Sequence, residues 1–144
     1  MSRVDLAVAR FKEGFSCSQA VLSTYGAQFG LDHETTLRLA CAFGGGMGRM
    51  AMTCGAVTGA FMVIGLKHGR TRIHNEERRE RTYELAREFT KRFISRNGSI
   101  ICKDLLGCDI STPDGIRIAR EEGIIATLCP KLVQDAAEIV EGIL

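Results

Sequence analysis

The chain has no surplus of charge of one sign: 19 Lys and Arg against 17 Asp and Glu leave a formal net charge of +2. So weak a field recruits neither nucleic acid nor an anionic membrane surface, and both are excluded as expected partners. Long apolar runs are absent too. The longest, CGAVTGAFMVIGL at residues 54–66, stops at Lys67, well short of the roughly 20 residues that cross a bilayer. The N-terminal stretch MSRVDLAVARFKEGF carries Asp5 and Glu13 in a short amphipathic pattern, without the apolar core and cleavage site of a secretory signal. A cytoplasmic protein is therefore expected. There is no alternating strand pattern, no internal repeat and no low-complexity linker. Finally, six cysteines occur without a single Cys-x-x-Cys pair, so the usual local signature of zinc sites, ferredoxin clusters and dithiol oxidoreductases is missing.

What is present reads as helix nearly throughout. A length of 144 residues with 45% hydrophobic side chains suits one globular domain, here residues 1–144, with a core that needs no disulfides. Val4, Ala7, Val8 and Phe11 fall at helical spacing over residues 3–13, and Ala20, Val21, Tyr25 and Phe29 over 16–29, with Gly14 and Gly30 as breaks. Asp32 caps a third helix to about Phe43, which the glycines of GGGMG end. An apolar fourth helix spans about residues 53–68, and a charged fifth runs from about Asn75 to Arg96 with Ala86, Phe89 and Phe93 as its stripe. In that fifth helix Glu77 with Arg81 and Glu88 with Arg92 are spaced four apart, as on a solvated face. A short ICKDLLG segment, a turn at STPDG, a helix over 115–122 and a last helix from Pro130 to Ile143 complete the chain. The predicted fold is all-α, a compact single-domain bundle around the apolar helix.

In a reducing compartment, surplus thiols point to metal or redox chemistry more than to stapling. Four of the six are expected where helices begin. Ser16 caps the helix that Cys17 opens, Cys129 precedes Pro130 as a cap residue, Cys54 follows the candidate cap Thr53, and Cys102 heads the CKDLLG turn. Helix N-termini carry unpaired amides and a partial positive charge, which favour thiolate over thiol. Cys41, beside Leu37 and Ala40, reads as plain core, whereas Cys108 sits on a loop and fits either role. Gly55 and Gly59, with Ala56 and Ala60, leave a helix face without bulk that a backbone or a cofactor can approach closely. The GGGMGRM loop offers backbone N–H groups to an anion, with Arg49 assisting, but it lacks the GK[ST] ending of a phosphate loop, so it reads first as a tight turn and only second as the rim of a ligand site. His33, His68 and His74 read as solvated side chains.

FSCSQAVL around Cys17, CGAVTG at residues 54–59, Cys102 and Cys129, with AFGGGMGRM and GCDISTPDG, together resemble the family of redox-active proteins named C_GCAxxG_C_C for its cysteine pattern. The resemblance spans nearly the whole chain. It implies a redox role resting on the cysteines, with no substrate or reaction attached. The chain departs from the pattern in carrying Thr53 before the motif cysteine and in the order CGA after it, and either Cys102 with Cys129 or Cys108 with one of them supplies the last two signature cysteines. Three mechanisms remain open. Cys17, Cys54, Cys102 and Cys129 or Cys108 converge as metal ligands for zinc or an iron–sulfur cluster in electron transfer, with Gly55 and Gly59 against the cofactor. Alternatively, Cys17 and Cys54 are catalytic thiols in disulfide exchange, or the cysteines merely pack in a helical adaptor. A redox partner protein fits the first two, and the apolar content permits a homodimer.

Overall fold

In the computed structural model, which describes all residues 1–144, the elements follow in the order α1 (Arg3–Glu13), α2 (Cys17–Gly26) running into a 3-10 turn at Ala27–Phe29, α3 (His33–Cys41), a short α4 (Gly44–Met47), α5 (Gly55–His68), α6 (Glu76–Asn97), a short α7 (Cys102–Leu106), α8 (Pro113–Glu121) and α9 (Ile124–Ile143). The chain is all-α, as expected; its one β feature is an isolated antiparallel bridge between Thr53 and Ile101. Caps explain most of the starts. The Ser2 hydroxyl accepts from the Asp5 amide, Asp32 from Thr35, Asn75 from Arg78 and Thr112 from Gly115, while Ser16 and Gln19 form a two-way capping box. Each cap satisfies amides that helix geometry leaves free, worth about 1 kcal/mol.

Three boundaries depart from the periodicity. The STPDG segment is itself a helix start, since Thr112 caps α8 and Pro113 takes the first turn, where a missing N–H costs nothing. The last helix begins at Ile124, because the left-handed Gly123 makes the break and the apolar residues after it carry the face onward past Pro130. Pro130 thus lies inside α9, where it cannot bond the carbonyl of Ala126, and Cys129 is an interior helical residue rather than a cap. Third, α4 is not an ordinary helical turn: Gly45, Gly46, Met47, Gly48 and Arg49 have φ of 67, 69, 66, 62 and 61°, a left-handed turn.

The main core joins α1, α2, α5, α6 and α9 around α5, whose Val57, Ala60, Val63 and Ile64 are fully enclosed. Nearly all of α2 is buried with it, including Ser18 and Thr24, whose hydroxyls donate to the carbonyls of Ala40 (2.9 Å) and Ala20 (2.8 Å). The small face of α5 makes this contact. A Cβ on Gly59 would stand 3.0 Å from the Ser18 carbonyl oxygen and 3.1 Å from Val21 Cβ, so only glycine lets the two helices lie this close. A second, smaller core gathers Ala51, Cys102, Leu106, Ile110, Ala119 and Cys129. On the solvated side of α6, Glu88 pairs with Arg92 at 2.8 Å as predicted, whereas Arg81 turns to Glu84 at 3.3 Å instead of Glu77. No helix is long and apolar enough to cross a membrane.

Candidate functional site

The cysteines are brought together by backbone contacts before any side chain is considered. The capping box on Ser16 fixes Cys17 as the first residue of α2. Cys54 is the cap residue of α5, with Gly55 the first helical position. Its N–H donates to the Ile100 carbonyl at 2.8 Å, and the Cys102 N–H donates to the Met52 carbonyl across the Thr53–Ile101 bridge. Residues 51–54 and 100–103 are therefore zipped side by side, so the starts of α5 and α7 share one place. Cys129 reaches it from the interior of α9. Cys54 belongs to the main core, Cys102 and Cys129 to the second, and Cys17 packs against both. The thiols lie on the seam between two cores.

The left-handed turn closes the seam from one side. At Gly46 a Cβ would stand 2.7 Å from Cys102 Cβ and 2.8 Å from the Met52 nitrogen, so the bare backbone is what lets the turn rest on Cys102 at the start of α7. Met47, Arg49 and Ala51 also have positive φ without being glycine, at roughly 1 kcal/mol of strain each. Strain of this kind persists only where the surrounding structure imposes it.

The thiols are not equivalent electrostatically. Cys54 is held below the usual thiol range, first by the Cys17 S–H directed at its sulfur and then by the amides of Ala56 and Val57 at the start of α5, which together outweigh burial. Cys17 is pushed well above that range by its contacts with Cys129 and Cys54 and by burial. Burial, with the neighbouring Cys54 and Cys129 thiols, pushes Cys102 up to about 12. Cys54 therefore ionises first while Cys17 keeps its proton and donates it.

A cavity of about 940 Å³ opens over these thiols, near the upper end of the range for small-molecule sites. It is bordered by Cys17, Cys54, Cys102 and Cys129, and also by Cys41, which is exposed at the end of α3 rather than part of the core. The reading of Cys41 as core is corrected: its helix turns Thr36 and Ala40 inward and leaves position 41 outside. Cys108 is half-buried beyond α7 and does not border the cavity, and Gly59 faces α2, so its role is helix packing and not cofactor contact. Gly55 does border it. No group of three or more Cys, His, Asp or Glu side chains is arranged to hold a metal ion. Of the expected ligands, Cys17, Cys54, Cys102 and Cys129 border the cavity and Cys108 does not. Lys12, Arg49 and Arg120 also border the cavity. Sequence reasoning picked out Arg49 with its glycine loop but missed Lys12 and Arg120, because these come from α1 and α8 and no spacing pattern links them to the loop.

A family model described as putative redox-active protein, C_GCAxxG_C_C, matches residues 15–143. No curated protein and no solved structure matches the chain.

Proposed function

Since the chain belongs to the C_GCAxxG_C_C family, we propose that its redox activity is thiol–disulfide exchange, with Cys54 as the attacking thiolate and Cys17 as its proton donor and resolving partner. The observation that carries this reading is the placing of Cys17 beside the start of α5, where a Cβ on Gly55 would stand 3.2 Å from Cys17 Cβ, so that Cys17 and the cap residue Cys54 border one cavity together. An anionic sulfur bordering an open cavity is the nucleophile the reaction needs, and the thiol beside it is placed to displace whatever becomes attached. The chemistry proceeds in two displacements. The Cys54 thiolate attacks one sulfur of a disulfide R–S–S–R; that S–S bond breaks, and RS⁻ leaves and takes up a proton. Cys17 then gives up its proton and attacks the Cys54 sulfur, releasing the second RS⁻, which is protonated in turn. The protein is left with a Cys17–Cys54 disulfide, two electrons having passed to two molecules of RSH, and a reducing dithiol runs the same steps backward.

The absence of Cys-x-x-Cys is no obstacle, because tertiary packing supplies the second thiol that such a motif supplies locally. An iron–sulfur or zinc centre is the second reading, and no group of three or more Cys, His, Asp or Glu side chains stands arranged for one.

The test is to treat anaerobically reduced protein with 2-hydroxyethyl disulfide, alkylate it and map the cysteines by mass spectrometry. A Cys17–Cys54 disulfide, lost in Cys54→Ser with the helical fold retained, is the expected result. Iron with acid-labile sulfide and visible charge-transfer bands in the anaerobic protein would overturn it in favour of electron transfer.

A further inference from the structure

The cavity over the thiols is charged in one sense only. Its three ionic side chains, Lys12, Arg49 and Arg120, are all cationic; no Asp or Glu borders it, although Glu13 and Glu121 stand next to Lys12 and Arg120 in the sequence. All three cations are exposed. Elsewhere on the surface Arg70, Arg79, Arg92, Arg96, Arg117 and Lys131 are each engaged with a carboxylate. Lys12, Arg49 and Arg120 take part in no ion pair and no side-chain hydrogen bond. They come from three separate elements and meet only at this cavity. Beneath them the walls are apolar, with Phe11, Leu105, Ile116 and Ile125 among the lining.

We propose that the cavity takes a small anionic disulfide or thiol, its acidic groups held at the rim by Lys12, Arg49 and Arg120 and its sulfur delivered to Cys54. The argument rests on the exchange reaction proposed above and adds its substrate class. The volume suits a low-molecular-weight compound, since sites of this size enclose a small ligand and not a folded partner. Three cations without internal partners raise the local concentration of an anion and disfavour a cation. Arginine is suited to a carboxylate or phosphate because its fork can bind two oxygens at once. Arg49 occupies one of the strained left-handed positions, so the turn that rests on Cys102 also sets the place of one of the three cations. The reaction consumes R–S–S–R and yields a Cys17–Cys54 disulfide with two RSH, or the reverse, with R carrying the negative charge.

The experiment compares rate constants for oxidation of the reduced protein by three dialkyl disulfides: 3,3′-dithiodipropionate, which is anionic, 2-hydroxyethyl disulfide, which is neutral, and cystamine, which is cationic. Wild type is set against the triple variant Lys12→Gln, Arg49→Gln and Arg120→Gln. Intrinsic differences among the reagents cancel when each is compared between the two proteins. An exposed cation is worth about a factor of two toward a bound anion, so the ratio of anionic to cationic rate constants falls by about tenfold or more in the variant. An unchanged ratio would overturn the proposal while leaving the Cys17–Cys54 couple standing. Failure of all three reagents to form a Cys17–Cys54 disulfide in the wild type would instead remove the exchange reading, and this proposal with it.

Discussion

Replacing Cys17 by alanine removes one S–H and leaves the rest of the seam in place. That S–H is the largest influence holding Cys54 below the ordinary thiol range. A hydrogen bond to an anion contributes about 1.5–3 kcal/mol, and a thiol is a weak donor, so the low end of about 1.5 kcal/mol applies. This is about a tenfold change in the ratio of thiolate to thiol. The sign follows directly: the donor favours the anion, so its loss moves the midpoint of the pH–rate profile to higher pH and lowers the thiolate fraction at any pH below the wild-type midpoint. A more basic thiolate is also a better nucleophile, which returns about threefold of that loss. Alkylation of Cys54 by iodoacetamide at a pH below the wild-type midpoint, followed by peptide mapping, should therefore slow by about threefold in Cys17→Ala, with the profile displaced upward. Cys17→Ser keeps a donor of similar size, in hydroxyl form, and should hold the midpoint at or below the wild-type position. A profile in Cys17→Ala that stays in place or moves to lower pH would refute the account of how Cys54 is activated.

Two further changes test the left-handed turn. Gly46→Ala puts a Cβ 2.7 Å from Cys102 Cβ at a φ of 69°, so urea unfolding should show a loss of about 2–4 kcal/mol, the sum of backbone strain and overpacking. Arg49→Gly relieves a φ of 61° and should raise stability by about 0.5–1 kcal/mol in the same assay, while lowering the protein's preference for anionic over cationic disulfides.

The helices were legible where the chain writes them twice, once as apolar period and once as cap. Ser16 before Cys17 and Asp32 before His33 are such cases. Legibility failed where one residue type carries two meanings. Pro130 follows Cys129 as a proline at a first helical position would, yet the true break is Gly123, and the proline is carried inside α9. Cys41 shares a pattern with Leu37 and Ala40, but a helix ending at that point turns its last residue out. The close face of α5 was readable from Gly55 and Gly59, whereas its occupant was not: only the tertiary structure shows that α2 fills the space at Gly59 and leaves Gly55 at the cavity. Convergence of Cys17, Cys54, Cys102 and Cys129 followed from the small helix face as a condition to be met, and the packing meets it. The direction of φ at Met47 and Arg49 has no local signature, since neither residue prefers that conformation; the neighbours impose it.

The bridge between Thr53 and Ile101 also bears on the order in which the molecule is made. Both α5 and α6 lie between its two sides in the chain, so it closes only after a long loop has been drawn in, which is among the slower events available to a small domain. Until then Cys54 stands apart from Cys102. Under the proposed exchange reaction, the seam of four thiols is therefore complete only in the finished fold.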